Sequence, residues 1–233
     1  MKRIADGLYT FTGLMMGRVY LIEDADGLTL VDAGIPSAAN KIVKQLSSAD
    51  HDVTEIKRIL ITHAHPDHVG ALPALLRQCD AELIMAETEY PILEGEQAIP
   101  RAPVEQLSGI ARRLRPTETT LMGLKAGRVV ADGDRLDDVM GGLQIIATPG
   151  HSPGHLSFWH PDTRILFCGD VILNFYRLRL PFSFFTVDMA ENIRSIKKVV
   201  DLIPQTVCFG HGPPLQKDTS GKLRNFAQSV GAI

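Results

Sequence analysis

The stretch Thr62-His63-Ala64-His65-Pro66-Asp67-His68-Val69-Gly70 concentrates three imidazoles and one carboxylate directly after the apolar run Ile59-Leu60-Ile61. Residues 58–62 read as a β-strand, being short, apolar and rich in β-branched side chains. Side chains alternate in extended chain, so His63 and His65 project to the same side. Pro66 then turns the chain and re-aims Asp67 and His68 toward a neighbouring position. One segment could therefore feed two metal sites. Imidazole nitrogen and carboxylate oxygen suit zinc, iron or manganese, and such sets leave open positions for water.

Toward the amino terminus, residues 8–12, 19–22 and 28–31 are short apolar runs that read as strands. The last of them meets Asp32-Ala33-Gly34. Asp32 fits a strand-ending turn and fits equally a carboxylate that orients a ligand histidine. Ser37 is placed as the N-cap of a helix over 38–46, with Ile42, Val43 and Leu46 as its apolar stripe, and 71–77 reads as a second helix. Strands alternating with helices argue for an α/β chain.

Toward the carboxyl terminus, residues 87–127 have lower β-propensity and are punctuated by Pro91, Pro100, Pro103 and Pro116, which marks a helical insertion. Within it, Val104, Leu107, Ile110, Ala111 and Leu114 form one apolar face expected to pack on the core. Strand signals resume at 143–147, 156–159 and 165–168, followed by a helix over 190–202 and a strand at 207–209. The second half echoes the first: both carry an apolar strand ending near an aspartate, Asp32 and Asp170.

Further candidates fall in loops after these strands. His151 and His211 are flanked by glycine, which lets backbone approach a ligand closely. Asp170 stands at the end of a strongly apolar strand, where a buried carboxylate needs a partner. His155 falls between a ligand and a packed core residue. His51 and His160 lie in turn-like sequence and read as solvated.

The 233 residues, 45% hydrophobic and 22% charged, fit one globular α/β domain over 1–233. Lys plus Arg number 24 against 27 acidic residues, so the formal charge is −3 and no cationic surplus is available for nucleic acid. No run nears the ~18 apolar residues of a membrane span. Asp6 and Gly7 interrupt any early apolar stretch of signal-peptide length. The odd set Cys79, Cys168 and Cys208 lacks CxxC spacing, which suggests neither a disulfide framework nor a cysteine zinc site. A cytoplasmic protein with a small-molecule substrate is the expectation, with a homo-oligomer left open.

Taken together, the His-x-His-x-Asp-His segment, Val31-Asp32-Ala33-Gly34 and the ordered downstream His151, Asp170 and His211 resemble the metallo-β-lactamase fold superfamily of metallohydrolases. The resemblance implies an αββα four-layer sandwich with mixed sheets and a two-metal site at one sheet edge. It implies that His63, His65 and His151 hold one divalent metal ion, that Asp67, His68 and His211 hold the other, and that Asp170 bridges them. Asp32 matches the family's supporting aspartate. Zinc is the expected metal, with iron or manganese as alternatives. Water is the implied nucleophile, and Asp67 the catalytic residue that hydrogen-bonds it and relays its proton.

Details prune the superfamily. His65 stands where the flavodiiron proteins have glutamate. Asp170 is an oxygen ligand that true β-lactamases generally lack. The tRNA-processing endonucleases share the bridging aspartate, but this chain is acidic. Glyoxalase-II-like thioesterases carry a C-terminal helical region, whereas roughly twenty residues follow His211 here. Quorum-quenching lactonases place a tyrosine three residues beyond the bridging aspartate, where this chain has Leu173 and only later Tyr176. The expectation is a binuclear hydrolase of the glyoxalase-II/lactonase-like branch that cleaves an ester, thioester, lactone or related acyl bond. Its rival is a persulfide-dioxygenase-like oxidoreductase with one iron on His63, His151 and Asp170.

Residues 171–187 leave Asp170 directly and carry Phe175, Tyr176, Phe182, Phe184 and Phe185. They are expected to shape the substrate pocket, with Tyr176 and Phe182 as contacts, while core or subunit-interface packing competes for the same aromatic group. Arg177 and Arg179 alternate with Leu178 and Leu180 as in a half-buried strand.

Overall fold

Single-residue alternation divides the apolar side chains of the first half between two faces of one sheet. In the computed structural model, which describes every residue except 122 and 126, Leu21, Leu30, Ile59 and Leu83 pack on one face. Tyr20, Ile22, Val31, Leu60 and Ile84 pack on the other. This sheet holds β1 (Lys2–Ala5), β2 (Leu8–Thr10), β3 (Tyr20–Asp24), β4 (Gly27–Val31), β5 (Ile56–Leu60), β6 (Glu82–Ala86) and β7 (Arg128–Val130) in that spatial order. Pairing is antiparallel from β1 to β4 and parallel from β4 to β7.

The second sheet begins with β8 (Arg135–Leu136), β9 (Leu143–Ala147), β10 (Leu156–His160) and β11 (Ile165–Gly169). After a separate hairpin of β12 (Leu173–Phe175) and β13 (Arg177–Arg179), β14 (Thr206–Phe209) returns to lie parallel to β11. The spatial order is β14-β11-β10-β9-β8.

Helices cover both outer faces. α1 (Ala38–Ser47), α2 (Pro66–Val69) and α3 (Leu72–Leu75) lie on the first sheet, where Ile42, Leu46, Leu72 and Leu75 join its outer core. The connection between β6 and β7 carries α4 (Tyr90–Leu93) and α5 (Gly109–Leu114). α6 (Met189–Asp201) and α7 (Thr219–Ser229) cover the second sheet through Ile196, Val199, Leu223 and Phe226. Between the sheets, Leu60 and Ile84 meet Phe158 and Phe167. The result is the expected αββα sandwich. Phe158 is wholly buried there, so truncation to Ala would cost about 3–5 kcal/mol in lost transfer energy and cavity formation. Among the described residues no helix is long and apolar enough to cross a membrane, and all three cysteines are free and buried.

Several local expectations are corrected. Residues 103–114 do not form one helix: a 3-10 turn over Val104–Gln106 is followed by extended Leu107 and Ser108, and Gly109 at φ +53° restarts the chain as α5. Its apolar face does not pack on the core, since Ile110 is 75% exposed and Leu114 53%, while Leu107 alone is buried. Most of 87–127 is irregular, and residues 122 and 126 of that expected insertion lie outside the described residues. Ser37 precedes α1 but makes no side-chain cap, because its own backbone is already helical (φ −72°, ψ −7°). The strand expected at 58–62 is β5 instead, and the helix expected at 71–77 shortens to α3. His160 is buried in β10, with its Nδ1 against the Thr163 hydroxyl, rather than solvated.

Candidate metal centre

Five strands end at one edge of the sandwich, and each delivers a polar residue there. Asp32 follows β4, His63 and His65 follow β5, His151 follows β9, Asp170 follows β11, and His211 follows β14. Asp67 and His68 sit in the first turn of α2, where Pro66 opens the helix and turns the chain away from the strand direction.

Three imidazoles converge first. His65 Nδ1 lies 2.9 Å from His63 Nε2 and 3.0 Å from His151 Nε2, and all three rings are buried. Opposite, His211 Nε2 lies 3.2 Å from Asp67 Oδ2, and His68 completes that group. Asp170 stands between the two sets, with Oδ2 3.5 Å from His151 Nε2 and 3.2 Å from His211 Nε2. The sets His63-His65-His151 and Asp67-His68-His211 each place their ligand-type atoms within 4.8 Å of one another, as do His63, His68 and Asp170. Gly210 makes room for this: a Cβ there would fall 2.0 Å from Asp170 Oδ1.

His68 Nε2 and Asp170 Oδ1 are buried 3.6 Å apart, and neither has a hydrogen-bond partner. Orphaned polar atoms of this kind are costly in a protein interior. Their convergence, beside three nitrogens whose lone pairs meet, fits a cation and not a closed hydrogen-bond network.

The supporting contacts set which nitrogen faces inward. The Asp32 carboxylate accepts the backbone N–H of Thr62 at 2.9 Å and the Thr62 hydroxyl at 2.9–3.0 Å. It also lies 2.7 Å from His68 Nδ1, which therefore donates and leaves Nε2 to face the centre. With its hydroxyl proton committed to Asp32, Thr62 Oγ1 accepts from His63 Nδ1 at 3.0 Å, so His63 Nε2 also points inward. Asp32 holds this position with φ +59°, a left-handed conformation that aspartate tolerates better than most residues. The carboxylate thus orients a candidate ligand and is not a simple turn residue.

His155 belongs to none of the three candidate groups. Its Nε2 accepts the backbone N–H of Asp170 at 3.0 Å, and its Nδ1 donates to Thr148 Oγ1 at 2.9 Å. Glu89, which sequence reasoning did not single out, is buried to 1% exposure. Its Oε2 accepts the N–H of Ala64, between His63 and His65, at 2.9 Å. Its Oε1 accepts the N–H of Gly154, in the loop of His151, at 2.8 Å. One carboxylate therefore ties together the two loops that carry the three converging imidazoles. No motif marks it, because Glu87-Thr88-Glu89 reads as an ordinary polar turn.

Burial and charge split the titrations. Burial pushes His65, His151 and His155 down to about 3, so they stay neutral nitrogen donors. Burial, reinforced by the surrounding imidazoles, also lowers His63. For His211 burial acts downward, but Asp170 and Asp67 outweigh it and raise the ring to about 9. His68 is likewise raised, Asp32 and Asp170 prevailing over burial. Burial opposes ionisation of Asp170, yet His211 and His68 hold its carboxyl well below the usual carboxylate range. Without a metal, the Asp170 carboxylate charge therefore stabilises the protonated forms of His68 and His211.

The centre opens into a cavity of about 790 Å³ lined by His65, Asp67, His151, Asp170 and His211 on its polar side. Met15, Met16, Leu173, Phe175, Phe182 and Phe185 form much of the apolar wall. Tyr176 and Phe182 both line it, but neither is enclosed. Tyr176 sits fully exposed at the β12–β13 turn and forms part of the mouth, and Phe182 is 39% exposed. Arg177 and Arg179 do not line this cavity; Arg179 lies over the Phe182 ring at 4.8 Å. Arg18 and Arg101 do line it, and nothing in their sequence context announces this.

The pattern described as Metallo-beta-lactamase superfamily matches residues 12–211. The probable metallo-hydrolase YflN of Bacillus subtilis (strain 168) is 28% identical over 250 residues, covering 98% of this chain and 93% of that protein. The N-acyl homoserine lactonase of Bacillus thuringiensis is 27% identical over 225 residues, covering 82% of this chain and 79% of that protein. The crystal structure of BJP-1, a subclass B3 metallo-beta-lactamase of Bradyrhizobium japonicum, superposes with a TM-score of 0.72 at 26% identity, covering 98% of this chain and 89% of that chain. On a match that spans most of its length and the whole of the histidine-rich centre, the chain belongs to the metallo-β-lactamase superfamily.

Proposed function

We propose that this protein is a binuclear metallohydrolase that cleaves an ester, thioester, lactone or related acyl bond of a small molecule. The observation that carries the reading is the position of Asp170 Oδ2, within 3.5 Å of His151 Nε2 in one candidate set and 3.2 Å of His211 Nε2 in the other. His63, His65 and His151 would hold one divalent ion and Asp67, His68 and His211 the second, with Asp170 shared. Zinc suits this imidazole-rich set best, with iron or manganese as alternatives. When bound, such ions supply Lewis-acid polarisation of an acyl oxygen and a water nucleophile available near neutral pH.

The chain's own groups do the rest. Asp67 lines the cavity with its carboxylate beside His211 and accepts a hydrogen bond from the attacking water, orienting it and taking up its proton. The apolar wall of Met15, Met16, Phe175, Phe182 and Phe185 receives the acyl portion and excludes bulk water. No serine or cysteine nucleophile is needed; the free cysteines are buried, and none of them lines the cavity. Lactone hydrolysis accords with the name of the N-acyl homoserine lactonase relative, and a thioester makes the same catalytic demand.

The test is a panel of esters, thioesters, lactones and a β-lactam, assayed with metal-replete protein both under nitrogen and in air. Hydrolysis that a chelator abolishes and added metal restores is expected for at least one acyl class. Turnover only with oxygen would favour the mononuclear iron alternative. No acyl hydrolysis at all would overturn the reading.

A further inference from the structure

Arg101 lacks the carboxylate partners that Arg58 and Arg128 have. Arg58 is paired with Asp24, Asp26 and Asp138, and Arg128 with Glu82 and Asp138. Arg101 has no carboxylate within ion-pair distance among the described residues. Its one side-chain hydrogen bond runs from Nη2 to Thr119 Oγ1 at 3.3 Å, and its Nε is buried without any partner. Arg115, a like charge that acts on Arg101, is itself turned to the Ala102 carbonyl and Glu118. Yet Arg101 lines the same cavity as Asp67, Asp170 and the histidines.

A half-buried guanidinium left without a counter-charge is unfavourable unless something arrives to pair with it. Asp67 is not that partner, since its carboxylate is engaged by His211 at 3.2 Å. The backbone that carries Arg101 is fixed: Ala102 is buried, its carbonyl accepts from Arg115 Nε at 2.7 Å, and Ile99 N–H donates to Thr119 O at 2.9 Å. The guanidinium is therefore presented from a supported loop into a chamber whose wall away from the histidines and aspartates is largely apolar. A planar pair of N–H donors in such a place matches a carboxylate, where a charge-assisted bond is strengthened by low polarity. Arg18, the other guanidinium on the cavity wall, adds positive potential and has no carboxylate partner among the described residues.

We infer that Arg101 anchors a second, non-reacting carboxylate of the substrate, so that the acyl compound cleaved is a half-ester, half-thioester or carboxylated lactone with an apolar spacer. This rests on the hydrolase reading above for the bond cleaved, but not for the binding itself.

The experiment has two arms on metal-replete protein. In the first, thioesters of C4 to C8 monocarboxylic acids are compared with monothioesters of the same-length α,ω-dicarboxylic acids. In the second, calorimetry measures binding of the free dicarboxylates against the free monocarboxylates, with no turnover required. The wild type should prefer the dicarboxylate series by about tenfold or more at one chain length, the effect of one hydrogen-bonded charge contact. Arg101→Met should erase that preference with metal content retained, Arg101→Lys should keep part of it, and Arg18→Met should reduce it less than Arg101→Met.

Equal losses on both series would mean Arg101 merely braces its loop through Thr119, and the anchor would be overturned. It would be overturned too by a preference that survives Arg101→Met or vanishes only in Arg18→Met, or by dicarboxylates that bind no better than monocarboxylates. Arg101-dependent binding without any thioester cleavage would sustain the anchor and sink the hydrolase reading. Thioester cleavage without dicarboxylate preference would do the reverse.

Discussion

The backbone N–H of Asp170 donates to Nε2 of His155 at 3.0 Å. That bond requires an unprotonated Nε2, so His155 carries its proton on Nδ1 and passes it to Thr148 Oγ1, which reaches Ser157 Oγ at 2.9 Å. Gly169, just before Asp170, sits so close that a Cβ would fall 2.5 Å from the same His155 nitrogen. A buried, neutral imidazole thus holds Asp170 by its main chain and not by its charge.

His155→Ala should therefore weaken metal affinity by about 10–100-fold, the usual scale for removing a residue that orients ligands, while His63, His65 and His151 remain in place. Competition with a graded chelator series reads this directly. Unchanged affinity in a folded His155→Ala protein would show that Asp170 needs no such support.

Asp170→Asn should impair both candidate metal positions, because a neutral amide replaces the anion placed between the two sets. Asp32→Asn should do less, since it perturbs the orientation of His68 and Thr62 and removes no proposed ligand. Bound metal per chain, measured on both variants after identical dialysis, checks the order. Full metal content in Asp170→Asn would remove its bridging role.

Glu89→Gln tests the clamp. Both carboxylate oxygens accept backbone N–H groups, from Ala64 and Gly154, so an amide must turn its NH2 toward one of them. Leaving one buried donor unsatisfied costs about 1–3 kcal/mol. The expected outcome is a lower melting temperature together with weaker metal retention, whereas a purely solvated glutamate would tolerate the change.

Much of this architecture is legible in the amino-acid order. The alternation in 19–22 and 58–61 assigns side chains to the two faces of the first sheet, and Asp170 and His211 follow apolar strands that end at the same edge. Glu89 and Arg101 are not legible. Their roles arise where the irregular connection between β6 and β7 is laid against the loops of His63 and His151, a placement that no local periodicity encodes. The exposed face of α5 is misread for a related reason: a helical apolar stripe implies burial only if the chain keeps helical geometry through it, and extended Leu107 and Ser108 interrupt it.

The metal-free protein should be least acid-stable where its buried imidazoles resist protonation. His65, His151 and His155 titrate near 6.5 when unfolded and about 3 when folded. Between those values the unfolded chain binds more protons, so stability falls as pH drops from 6.5 toward 3. His211 is raised to about 9, so the stability it contributes is fully present below 6.5 and is lost as pH rises through 9. Melting temperature of chelator-treated protein should therefore peak near neutrality and decline on both sides, with His211→Asn flattening the alkaline limb. A monotonic rise up to pH 9 would contradict the assignment.

The most direct test of the account is a titration of metal-stripped protein with zinc, following acyl hydrolysis and bound metal in the same samples. Activity should keep rising until two equivalents per chain are bound, and His63→Ala and His211→Ala should each lower both the occupancy and the rate. Full activity at one equivalent, with no further gain on binding the second, would contradict the binuclear centre.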